Sequence, residues 1–135
     1  MIREIKHQGD LIAIIIRQAY ETDGIRFFTP INFSQQLAYM KRPVGYKIIP
    51  HAHREVKREV HLTQEVLFLR RGKVKVDLFT KNKNYLTSEI LNTGDVILLA
   101  SGGHGFTMLE ESEIVEVKQG PYTGSDDKER FDSTT

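Results

Sequence analysis

The chain contains no cysteine. That excludes disulfides, thiolate metal sites and cysteine nucleophiles, and it suits a reducing cytosol, so a cytoplasmic address is expected. There is no excess of either charge: 19 Lys and Arg against 18 Asp and Glu leave a net charge of +1. A general nucleic-acid binder carries a larger basic excess, so no nucleic-acid partner is expected. Nor is there a long apolar run. The longest, residues 11–16, is closed by Asp10 and Arg17 and falls far short of the ~20 residues that cross a bilayer. No small-residue cleavage site follows it, so it reads as neither a membrane span nor a signal peptide. Internal repeats and low-complexity stretches are also missing.

What is present is a series of short β-prone segments. The 135 residues suit about one domain. Val, Ile, Leu, Phe and Tyr recur between turn signals spaced at roughly 8–12 residues. Strands are predicted at 11–17, 25–29, 36–42, 45–51, 65–70, 73–79, 85–91, 96–99, 104–109 and 113–118, with a helical turn at 17–22 as the alternative there. Arg71-Gly72 reads as a hairpin turn. Many short strands without a long helix predict an all-β sandwich or jelly roll. Residues 1–35 are read as N-terminal strands and an arm for dimer formation, 36–120 as the β-domain, and 121–135 as a polar tail that frays at its end.

Four of the five histidines lie between residues 51 and 104. On a strand, His51 and His53 project from one face, and two adjacent imidazoles make half of a divalent metal site. Glu65 opens the next firm strand and brings a carboxylate. His104 follows Ser101-Gly102-Gly103, where glycine permits a tight approach. Three histidines and one carboxylate suit one divalent transition metal: iron, manganese, zinc, nickel or cobalt. A pair of exposed histidines without a metal is the plainer reading of His-x-His.

The order of these residues resembles the two motifs of the cupin superfamily. Gly45, then His51-Ala52-His53, Glu65 and Gly72 resemble the first motif. Gly94-Asp95 through Gly102-Gly103-His104 resembles the second. The resemblance covers about residues 40–118 and implies a small jelly-roll barrel, a double-stranded β-helix. It also implies that His51, His53, Glu65 and His104 bind one metal inside that barrel. Eleven residues separate His53 from Glu65, more than the family commonly has. This insert carries Arg54, Lys57, Arg58 and His61. His61 shares strand parity with Glu65 and is the alternative fourth ligand.

Small molecules bind in concave sites, and arginine forks suit carboxylates and phosphates. Arg54 and Lys57 are therefore candidate contacts to an anionic substrate, with Tyr46 and Phe106 as aromatic walls. A solvated charged hairpin is the other reading of 54–59. Glu65, if not a tight ligand, is a candidate general base. The expected function is a metal-dependent enzyme on a small anionic or carbohydrate-type substrate, an isomerase, epimerase or oxygenase. The alternative is a non-enzymatic cupin that binds a small ligand such as a sugar. The apolar strand at 11–16 is unsuited to an exposed edge, which predicts a homodimer that covers it.

Overall fold

A computed structural model describes residues 1–124 and 127–132. The fraying expected at 133–135 lies outside the described residues. Ten strands follow in order: β1 (Ile2–His7), β2 (Asp10–Ile16), β3 (Gly24–Phe27), β4 (Ala38–Lys41), β5 (Glu65–Arg71), β6 (Lys73–Phe79), β7 (Tyr85–Asn92), β8 (Val96–Leu99), β9 (Gly103–Met108) and β10 (Glu113–Lys118). There is no helix among the described residues, so 17–22 is loop. Every pairing is antiparallel. The all-β expectation holds. Neither sheet of the larger unit closes on itself, because each ends in unpaired edge strands.

The chain divides into two compact units, residues 1–20 with 62 onward, and Glu21–His61. The larger unit holds a five-stranded sheet, β1-β2-β8-β5-β10, and a three-stranded sheet, β7-β6-β9. One apolar cluster joins them. Ile5, Ile12, Ala13, Ile15, Leu67, Leu69, Ile97 and Leu99 come from the first sheet, and Val74, Val76, Leu78 and Leu91 from the second. The alternation of Val74, Val76 and Leu78 with polar residues follows from the period of two along a strand. Burying such side chains contributes roughly 1.5–3 kcal/mol each.

At the N-terminus, Gln8 and Gly9 have φ of 50° and 83°. Two left-handed residues between paired His7 and Asp10 make the tight primed turn whose twist matches the strands it joins. β2 then runs between β1 and β8, and Ile12 to Ile16 are all buried. β2 is thus an interior strand of the sheet, and β1 is the edge strand beside it. The apolar run that motivated a homodimer is covered within its own chain.

After β5 the chain winds between the sheets. β6 and β7 form a hairpin, β8 returns to the five-stranded sheet, β9 to the three-stranded one, and β10 comes back again. Arg71-Gly72 is therefore not the turn of a paired hairpin, because β5 and β6 belong to different sheets. Gly72 makes this corner with φ of 113°. A Cβ there would lie 2.6 Å from the Glu111 carbonyl oxygen and 2.2 Å from Ser112 Oγ. The glycine is required by both backbone conformation and space.

The smaller unit is a hairpin, β3 paired with β4 in the register Ile25↔Met40 and Arg26↔Tyr39. Its strands correspond to the predicted 25–29 and 36–42 segments. Residues 42–64 carry neither strand nor helix, so the strand expected at 45–51 is absent. The alternation at Val44, Tyr46 and Ile48 suits a strand, but the segment pairs with none. A strand without a neighbour leaves its amides and carbonyls to water.

Candidate metal and ligand site

Two strands at the open side of the larger unit carry the site. β9 begins directly after Gly102, whose φ is 74° and whose Cβ would stand 2.2 Å from the Phe79 carbonyl oxygen. This tight corner delivers His104 opposite Leu78 on β6, with Phe106 opposite Val76 and Met108 opposite Val74. Residues directly opposed on antiparallel strands share a face. His104, Phe106 and Met108 therefore face the space between the sheets, as Leu78, Val76 and Val74 do.

The same logic applies to the other sheet. Glu65 shares a face with Leu67 and Leu69, which point into the core. Across from it on β10 stands Lys118, with Glu116 opposite Leu67 and Ile114 opposite Leu69. β9 and β10 are the last strands of their sheets. The space between the sheets is consequently open on this side: Met108 is 50% exposed although it faces inward, whereas Leu78, one strand further in, is fully buried.

At this opening the two sheets meet through charge. Glu65 Oε2 lies 3.5 Å from His104 Nε2, and Lys118 Nζ lies 3.9 Å from Glu65 Oε1. Lys118 also stands 3.6 Å from Glu116. The His104 ring centroid is 5.4 Å from that of Phe106. The hydrogen-bonding contact from His104 is the main influence holding the Glu65 carboxyl below its ordinary value. Burial acts in the opposite direction, and the charges of His104 and Lys118 add to the lowering. Glu65 is thus an ionised carboxylate at neutral pH, with a side chain only 13% exposed.

The remaining predicted residues belong to the smaller unit. His51 and His53 are exposed and lie in irregular chain rather than on a strand. Their rings are nonetheless neighbours, edge to face at 5.5 Å. His51 Nδ1 lies 2.8 Å from the Ile49 carbonyl oxygen. A carbonyl only accepts, so Nδ1 carries the proton of the neutral ring and Nε2 keeps a free lone pair. This is the arrangement metal-binding histidines adopt. His61 is exposed and lies 3.5 Å from Glu59. Arg54 and Lys57 are exposed, and the Arg42 guanidinium covers the Tyr46 ring at 4.5 Å.

Of the predicted site residues, then, Glu65, His104 and Phe106 come together in one unit. Lys118, Glu116, Met108 and Ile114, which join them, were not predicted. Their signal was the alternation of β9 and β10, which sorts each strand into an inner and an outer face. Among the described residues, no three His, Asp or Glu side chains converge as a ready-made metal site. Glu65 and His104 supply one oxygen and one nitrogen donor, and a metal there requires further ligands. Searches against family models, curated proteins and solved structures give no match to this chain.

Proposed function

We propose that the chain is a metal-binding cupin that holds one divalent transition metal and a small anionic or carbohydrate-type ligand. The observation that carries this reading is the meeting of Glu65 and His104. They come from opposite sheets, lie 3.5 Å apart, and stand at the mouth of an inter-sheet space with an apolar interior. An imidazole and an ionised carboxylate so placed are hard and borderline donors suited to such a metal. His51, whose Nδ1 lies 2.8 Å from the Ile49 carbonyl oxygen, and His53 form an imidazole pair within the smaller unit. The winding of β5 to β10 between two antiparallel sheets is also consistent with a jelly roll.

In this reading Glu65 is a ligand rather than a general base. A base works best with its pKa near the working pH, whereas His104 holds this carboxyl low. A bound metal would supply Lewis-acid polarisation of a substrate oxygen. Lys118, beside Glu65, supplies positive charge for an anionic ligand, and Phe106 and Met108 supply apolar contact. The reaction class in this reading is isomerisation, epimerisation or oxygenation.

Metal analysis of protein purified after supplementation tests it. About one metal per chain is expected in the wild type, and a loss of tenfold or more in affinity from His104→Ala and from Glu65→Gln. Less than about a tenth of a metal per chain, unchanged by these substitutions, contradicts the proposal.

A further inference from the structure

The open side formed by β9 and β10 is an unusual surface for a chain that works alone. β10 has β5 on one side and no strand on the other among the described residues. It contains no proline. Val115 and Val117 are exposed on its outer face, beside exposed Phe68 of β5. Phe106 and Met108 are exposed on the inner face of β9. An unprotected edge with apolar side chains on both faces is a template for another strand.

The same chain carries an unpaired segment with the matching properties. Residues 42–61 are exposed and carry no strand; after a turn in which Tyr46 N bonds the Pro43 carbonyl, Tyr46 and Ile48 alternate at strand period. A structureless stretch this long inside a compact chain is uncommon. Charge complements shape. Glu110, Glu111, Glu113 and Glu116 flank and line β10 without an interspersed cation. Residues 42–61 carry Arg42, Lys47, Arg54, Lys57 and Arg58 against Glu55 and Glu59. Glu113 pairs with Arg71, and Glu116 lies near Lys118. Glu110, Glu111, Lys47, Lys57 and Arg58 have no ion-pair partner among the described residues.

We propose that the chain forms a two-fold dimer in which residues 42–61 of one copy add to the open β9–β10 side of a second copy. Each copy offers one open edge and one unpaired segment, so reciprocal exchange satisfies both and closes the assembly. The segment gains hydrogen-bond partners, the exposed valines and Phe106 gain cover, and the basic stretch meets the acidic one. The proposal rests on the open edge and the charge pattern rather than on metal binding, although the docked segment would lie at the opening that carries Glu65 and His104.

The test combines light scattering with cross-linking on the metal-free full chain. A dimer is expected at micromolar concentration. An equal mixture of isotopically light and heavy chains is then treated with a zero-length carbodiimide, which joins lysine amines to carboxylates. After the chains have exchanged, about half of the peptides coupling Lys47 or Lys57 to Glu110, Glu111, Glu113 or Glu116 are expected to carry one light and one heavy half. Reversing charge with Glu110→Lys and Glu111→Lys is expected to weaken the dimer about tenfold, near 1.4 kcal/mol, and Lys57→Glu with Arg58→Glu to restore it. These sites are exposed, so circular dichroism should be unchanged. A monomer overturns the proposal. So does a dimer lacking those cross-links, or one in which they join only halves of the same label, which would mean that the segment docks on its own chain.

Discussion

Replacing Asp95 should remove a large share of the fold's stability. Asp95 is 3% exposed, and its carboxylate accepts three hydrogen bonds. Gln18 N lies 2.8 Å from Oδ1, while Asn92 N at 2.8 Å and Arg17 Nη1 at 3.0 Å share Oδ2. The side chain thus ties the end of β2 to the turn between β7 and β8. A hydrogen bond to a charged group contributes about 1.5–3 kcal/mol net. The Arg17 bond counts for less, because the guanidinium keeps the Ile90 carbonyl and Glu89 as partners. The two backbone amides lose this charged acceptor and carry most of the cost. Asp95→Ala should therefore destabilise by about 3–5 kcal/mol, the range found when one partner of a buried pair is removed, against a total of roughly 5–15 kcal/mol for a typical domain. Asp95→Asn should recover little of this. Its single amide oxygen serves one side, and its NH2 group faces donors on the other. Urea unfolding with an unchanged m-value is the assay. A loss under about 1 kcal/mol for Asp95→Ala would refute the assignment.

Three further outcomes are expected. Gly72→Ala should cost more than about 2 kcal/mol, since it adds left-handed strain of ~1–2 kcal/mol to an overlap with the Glu111 carbonyl; a Tm equal to wild type would contradict the corner described. Ile15→Ala, at a site with no exposure, should cost about 2–5 kcal/mol in urea unfolding, and a smaller loss would mean that β2 is not interior. His104→Ala should raise the Glu65 pKa, read by carbon NMR of the carboxyl group. His104 is the main cause of its lowering, and burial then pushes upward against Lys118 and the Glu116 contact. In the wild type this depressed carboxyl contributes stability that is fully present above its unfolded value of about 4.3 and is lost as pH falls through the lower folded value. A Glu65 pKa unmoved by the substitution would rule out the pairing.

The strands of the larger unit were legible because their side chains obey a simple period. Leu11 to Ile16, the Val74-Val76-Leu78 alternation and the Val96–Leu99 run each announce a buried strand. β1 was not legible: Arg3, Glu4 and Lys6 dilute its apolar residues, and its evidence is the Gln8-Gly9 turn, whose left-handed Gln8 no composition rule marks. Arg71-Gly72 reads as a hairpin because a glycine corner looks the same whether the next strand pairs with the last or crosses to another sheet. Only long-range packing against Ser112 distinguishes them. Residues 45–51 have strand alternation without a strand, since periodicity records what a segment is able to pair with and not whether a neighbour is there. At the site, Glu65 and His104 were legible from their positions at strand openings. Lys118 was not, because its role depends on the β5–β10 register, which sets it opposite Glu65.

The central claim is the proposal that Glu65 and His104 take part in holding one divalent metal. Manganese titration of histidine-labelled protein, followed by NMR of the ring signals, tests it most directly. Paramagnetic broadening should remove the His104 signals at one equivalent of metal, while His7 persists. Sharp His104 signals beyond one equivalent, or loss of all five histidines in parallel, would contradict it.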